Sequence, residues 1–174
     1  MGDSPAFPDH FSPVAAGYAA FRPTYPSALF DWIATQAPAR TAVWDCACGN
    51  GQATGPLAER FDLVIATDGS AEQLSHAPPI PRTIWKHATA EANGLPDASV
   101  DAVVIAQALH WFDLDRFWPE VRRVVRPGGL VVAWCYGPTR LPDPALNAVV
   151  HSLYEDVLGE WWSANRRHID AGYT

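Results

Sequence analysis

A chain of 174 residues, 48% hydrophobic and 18% charged, has the length for one domain and enough apolar residues for a buried core. Its formal net charge of −7 argues against the nucleic-acid backbone as a partner, because clustered Lys and Arg drive that binding. No apolar run approaches the ~20 residues that span a bilayer, and Met1-Gly2-Asp3-Ser4-Pro5 lacks a basic and apolar leader, so a cytoplasmic protein is expected.

Residues 1–26 gather prolines with Phe7, Phe11, Tyr18, Phe21 and Tyr25, a composition unsuited to a central strand but suited to an arm packed over a site. From Ser27, the apolar residues Leu29, Phe30, Trp32 and Ile33 predict a helix that stops before Pro38. Strand one is expected at Thr41 to Asp45, followed by the turn Cys46-Ala47-Cys48-Gly49-Asn50-Gly51. Gly49 and Gly51 let backbone pass close to a ligand, and Asn50 tolerates a left-handed conformation. From Asp45 to Glu59 there is no Lys or Arg. That favours a ligand rich in hydroxyls and positive charge, although a helix N-terminus alone can hold a pyrophosphate. Cys46 and Cys48, with no second pair or nearby His, read as small-residue packing, and with Cys135 they make no disulfide framework or metal site.

Ala53 to Arg60 predicts a short helix disturbed by Pro56. Leu63 to Thr67 is a continuous apolar run, as a buried parallel strand requires, and ends in Asp68. Asp68 follows Asp45 by 23 residues, the distance over which one strand-helix-strand unit returns beside its start and places a ribose-binding acid. Ser70 and Gln73 form a capping-box pattern for a helix that runs to about His76. Thr83 to His87 is strand three, followed by Ala90-Glu91-Ala92, and Val100 to Ala106 is strand four. The carboxyl end of strand four leads into Gln107-Ala108-Leu109-His110-Trp111-Phe112, which faces the same crevice as the Gly turn. Asp113 or Asp115 caps the next helix, whose Phe117, Val121, Val124 and Val125 share one face. Arg122, Arg123 and Arg126 read as solvated helix-end charges, and Pro127-Gly128-Gly129 ends the helix. Strand five runs from Leu130 to Tyr136, a further helix from Ala145 to about Leu158, and the tail from Trp161 is unassigned. Alternating strands and helices predict an α/β, doubly wound, Rossmann-like parallel sheet.

These residues resemble a class I S-adenosylmethionine-dependent methyltransferase, closest to the small-molecule group that includes the type 11 and trans-aconitate-like enzymes. The likeness runs from about Phe11 to Tyr136. The family's D-x-G-x-G-x-G turn matches Asp45 to Gly51, with Ala47 in place of the first Gly, and its Arg-Pro-Gly-Gly turn matches Arg126 to Gly129. The resemblance implies strand order 3-2-1-4-5 and the cofactor S-adenosyl-L-methionine, with S-adenosyl-L-homocysteine as product. It places Asp45 near the methionine end, Asp68 at the ribose, and Ala90 and Glu91 at the adenine. Tyr18, Arg22, Ala47, Gly49, Asn50, Gln73 and Gln107 complete the cofactor side. His110 and Trp111 stand on the side of a small-molecule acceptor, where His110 serves as a base for a hydroxyl or as a binder for a carboxylate. Sulfonium and ammonium groups without phosphate suit carboxylates and aromatic faces.

Three segments are expected: an amino-terminal arm at 1–26, a cofactor domain at 27–140, and a carboxy-terminal helix and tail at 141–174. The family's terminal 7-6 hairpin has no convincing sequence here. Either the chain is a piece, or a second copy or the Trp-rich tail covers the edge of strand five. Cofactor affinity is expected to survive with weak turnover. Two other readings stay open: a non-catalytic cofactor-binding module, and a nicotinamide-dependent oxidoreductase suggested by Gly49-x-Gly51-x-x-x-Gly55.

Overall fold

The computed structural model describes residues 24–137, 139–162 and 165–173. The expected arm therefore lies almost wholly outside the described residues. Five strands form one parallel sheet: β1 (Val43–Cys46), β2 (Val64–Asp68), β3 (Thr83–His87), β4 (Val100–Ala106) and β5 (Val125–Trp134). Their order is β3-β2-β1-β4-β5, as the family resemblance implied. Parallel pairs put Asp45 beside Ala66 on one side and Val104 on the other.

The apolar runs read as strands because both faces of the sheet are covered. Val43, Val64, Ala66, Ala102 and Val104 point to one face and join Phe30 and Ile33 of α1 (Ser27–Gln36) and Leu57 of α2 (Thr54–Ala58). Trp44, Cys46, Ile65, Val103 and Ile105 point to the other. There they meet Phe117, Val121 and Val124 of a helix at Leu114–Val124, which follows α3 (Ala71–Ser75) and is α4. Trp44, Phe30, Phe61 and Phe117 are fully buried, and burying a large apolar side chain stabilises by roughly 1.5–3 kcal/mol. Cys46 and Cys48 are divided between the two cores, and burial pushes both thiols up.

Several expectations are corrected. α4 ends at Val124, and β5 starts at Val125, because the Arg-Pro-Gly-Gly stretch is a bulge in the ladder: Val125 pairs with Val100, and Leu130 with Ala102. Arg123 and Arg126 are not simply solvated charges. Arg123 pairs with Glu120 and Asp97, and Arg126 with the buried Asp101. Asp113 precedes α4 without a side-chain cap bond. The next helix, α5 (Pro144–Ser152), is capped by Asp143 and continues as one π-helical stretch at Leu153–Val157. The unassigned tail holds a short helix, α6 (Arg166–Asp170). No helix among the described residues is long and apolar enough to cross a membrane.

Candidate functional site

The direction of chain winding reverses between β1 and β4, and a crevice opens there at the carboxyl ends of both strands. Its lining includes Tyr25, Asp45, Ala47, Gly49, Asn50, Asp68, Ser70, Gln73, Gln107, Trp111 and Phe112. Eight residues expected from sequence are thereby brought together: Asp45, Ala47, Gly49, Asn50, Asp68, Gln73, Gln107 and Trp111.

The turn after β1 is built from left-handed backbone. Ala47, Gly49 and Gly51 have φ of 55°, 56° and 95°. At Gly51 a Cβ would lie 2.6 Å from the Trp85 ring, so the turn is wedged against β3. At Gly49 it would meet only Gln73 Oε1, 3.8 Å away. Asp68 holds the loops: Oδ2 accepts from the Gly49 N–H and Oδ1 from the Ser70 N–H, both at 2.8 Å. Ser70 Oγ caps α3 by accepting from the Gln73 N–H at 3.2 Å. The expected reciprocal half of the capping box is absent, because Asp68 takes the Ser70 N–H. The Gln73 side chain turns to the crevice, where its Nε2 and Oε1 have no hydrogen-bond partner.

Asp45 is fully buried at the base of the crevice. Thr54 Oγ1 donates to its Oδ2 at 2.6 Å, while Oδ1 has no partner. Burial pushes the Asp45 carboxyl up to about 7, the Thr54 bond opposes the rise, and Asp68 adds to it. Asn50 Nδ2 and Gln107 Nε2 are likewise buried and unpartnered. Gln107 also has φ of 60°, and its N–H donates to Trp134 O at 2.8 Å, which ties the ends of β4 and β5. Among the described residues no Lys or Arg lines the crevice. Unpartnered carboxylate and amide groups over a bare glycine turn fit a polar, positively charged ligand with hydroxyls better than a phosphate.

The remaining expected residues stand elsewhere. Tyr18 and Arg22 lie outside the described residues. Ala90 is buried in the core and Glu91 Oε1 accepts from the Asp113 N–H at 2.9 Å, so neither lines the crevice. His110 stands behind its rim, 4.9 Å from the Trp111 ring centroid, with Nδ1 2.9 Å from Tyr173 Oη. Burial, then the nearby His168 and Arg166, hold the His110 imidazole down to about 4. Ser70 and Tyr173 were not marked as site residues by their sequence context. Ser70 carried a usable signal, since it follows the ribose-type acid by two positions, whereas nothing near Tyr173 in the chain suggests a contact 63 residues away.

A doubly wound sheet with a glycine turn after β1, an acid ending β2 and a crevice at the β1/β4 reversal defines the class as a Rossmann-like α/β protein, with the crevice where such folds bind their ligands. The chain belongs to the methyltransferase-domain family, whose model matches residues 44–133. A protein of Dictyostelium discoideum named as a methyltransferase is 34% identical over 170 residues, covering 96% of this chain and 65% of the relative. The solved structure of a protein named as a type II methyltransferase, from Anaeromyxobacter dehalogenans, is 51% identical with a TM-score of 0.79, covering 88% of this chain and 65% of that one. A solved complex of DhpI with SAM and HEP is 29% identical with a TM-score of 0.56, covering 76% and 67%. The chain thus spans a little under two thirds of the first two relatives.

Proposed function

We propose that the chain binds S-adenosylmethionine in the β1/β4 crevice and serves methyl transfer to a small-molecule carboxylate or hydroxyl. The observation that carries this reading is Asp45 Oδ1: a buried carboxylate oxygen, unpartnered, in a crevice lined by no basic side chain among the described residues. It suits the cationic methionine end, and Asp68, the carboxylate that ends β2 and lines the same crevice, suits the ribose hydroxyls. Gln73 and Asn50 supply amides between them. Family membership and the SAM-bound DhpI relative support the choice of cofactor. A nicotinamide dinucleotide fits less well, because α2 is a five-residue helix carrying Pro56 and a buried acid lies beneath the turn.

The cofactor supplies a methyl carbon already activated by a sulfonium. The residues of this chain therefore need to align the acceptor with that carbon and exclude water, and no nucleophilic side chain is required. Tyr25, Trp111 and Phe112 form the apolar part of the wall that would do so. Three free cysteines, two of them buried, support a reducing compartment such as the cytoplasm. Calorimetry with S-adenosylmethionine, S-adenosylhomocysteine and NADH tests the reading. Binding of the first two, lost in Asp68→Ala, is expected. Binding of NADH alone, or of none of the three, would refute it.

A further inference from the structure

The tail builds a contact that neither the cofactor crevice nor the sheet requires. Arg166 packs over the adjoining rings of Tyr154 and Trp162, 4.1 and 4.6 Å from their centroids, and pairs with Asp170 at 3.4 Å. Trp162 Nε1 donates to Tyr154 O, closing this clamp on the stretch after α5. The turn after α6 then bends through Gly172 and Tyr173, both with positive φ, and the Tyr173 N–H donates to His168 O at 2.8 Å. This delivers the Tyr173 ring against the core cluster beneath the Leu109–Trp111 turn, stacked on the His110 ring at 22° with centroids 6.3 Å apart.

We propose that Tyr173 is a positioning residue: its hydroxyl fixes the His110 ring through Nδ1 and thereby selects which nitrogen His110 offers beside Trp111 at the rim of the crevice. The contact joins the carboxyl ends of two strands, since the thiol of Cys135, the residue after β5, also neighbours the Tyr173 hydroxyl, while His110 follows β4. Of the two neighbours, an imidazole nitrogen is a strong acceptor and a thiol sulfur a weak one. The Tyr173 O–H therefore donates to Nδ1, and the ring proton resides on Nε2. Burial and the Cys135 contact keep the phenol protonated, so the donor is present throughout the ordinary pH range. Nε2 makes no hydrogen bond to the described residues, so it is the ring's remaining polar atom. In this tautomer His110 presents a donor. It would hold an acceptor molecule through an oxygen lone pair, as a carboxylate offers, and would not remove a proton from a hydroxyl.

The assignment of His110 to the acceptor side rests on the methyltransferase reading, but the Tyr173 contact does not. Long-range proton–nitrogen spectra of the 174-residue chain labelled in histidine, with His110 assigned through His110→Gln, read the tautomer directly. The wild type is expected to show a single His110 tautomer with Nε2 protonated, and Tyr173→Phe a mixture of both, with S-adenosylhomocysteine affinity unchanged by calorimetry. A wild-type His110 that already averages its tautomers, or one protonated at Nδ1, would overturn the proposal without reference to any variant. So would a Tyr173→Phe spectrum identical to wild type. Failure of S-adenosylhomocysteine to bind would instead remove the methyltransferase reading and leave the His110 spectra to stand alone.

Discussion

Ala47 occupies a left-handed position, φ 55°, where the family turn carries glycine. The methyl lines the crevice, but its direct cost is in the backbone. Left-handed geometry costs an L-residue roughly 1–2 kcal/mol, of which the greater unfolded-state freedom of glycine would return about half. Ala47→Gly should therefore stabilise the fold by about 0.5–1 kcal/mol, a rise of roughly 1–4 °C in melting temperature by calorimetry. An unchanged or lower melting temperature would show that the turn holds Ala47 without strain. The substitution was legible in the motif; the φ was not, because spacing fixes which residues form a turn and not the dihedral each adopts. The same limit explains Gln73. Its pattern with Ser70 named the cap correctly, yet only the position of Asp68 decides that the Gln73 side chain is released to the crevice.

At the scale of elements, Asp101 ties three strands. Its Oδ2 accepts from the N–H groups of Thr41 and Ala42 at the entry to β1, and its Oδ1 pairs with Arg126 in the β5 bulge. Gly129 makes the bulge possible, since a Cβ there would sit 2.9 Å from Asp101 O. Burial raises the Asp101 carboxyl, but the Ala42 N–H, Arg126 and the Thr41 N–H outweigh it and hold it below the usual carboxylate range. A folded value below the unfolded one means the stabilisation is full above the ordinary carboxylate value and is lost as pH falls through the folded value. Asp101→Asn should cost about 1.5–3 kcal/mol in urea unfolding at pH 7, the range for hydrogen bonds to a charged group, and the deficit should shrink at acid pH. A deficit independent of pH would mean that shape, not charge, joins the strands. Strands β2 and β4 were legible because a run buried on both faces is apolar throughout. The bulge was not, since Arg-Pro-Gly-Gly also fits a helix stop, and Arg126 looks solvated until Asp101 is found opposite it. The tail was illegible for another reason: its order comes from Arg166 packed over the Tyr154–Trp162 ring pair, a contact with no periodicity.

For the molecule as a whole, Asp45 couples the crevice to pH. In the ligand-free fold burial brings its carboxyl up to about 7, against an ordinary value of 3.8. The folded chain thus binds a proton between those values that the unfolded chain does not. The contribution of Asp45 to stability is complete at low pH, declines as pH rises from the ordinary carboxylate value through about 7, and is flat above it. A ligand whose cationic group pairs with Asp45 requires the ionised form, so its affinity should run the opposite way. Between pH 5.5 and 7 the affinity for S-adenosylhomocysteine should rise by up to about tenfold per pH unit and level off above, as linkage to one proton demands. Asp45→Asn removes the titrating group. It should weaken binding, flatten this slope and stabilise the ligand-free chain at pH 8, where wild type carries the buried charge at full cost. Calorimetric titrations and thermal melts across that range separate the outcomes. If the slope persists in Asp45→Asn, another group is linked to binding and the ligand's cation does not rest on Asp45. If the slope vanishes while the variant melts lower at pH 8, the Thr54 hydrogen bond outweighs the desolvation of the carboxylate, and the acid belongs to the architecture of the turn as much as to its ligand.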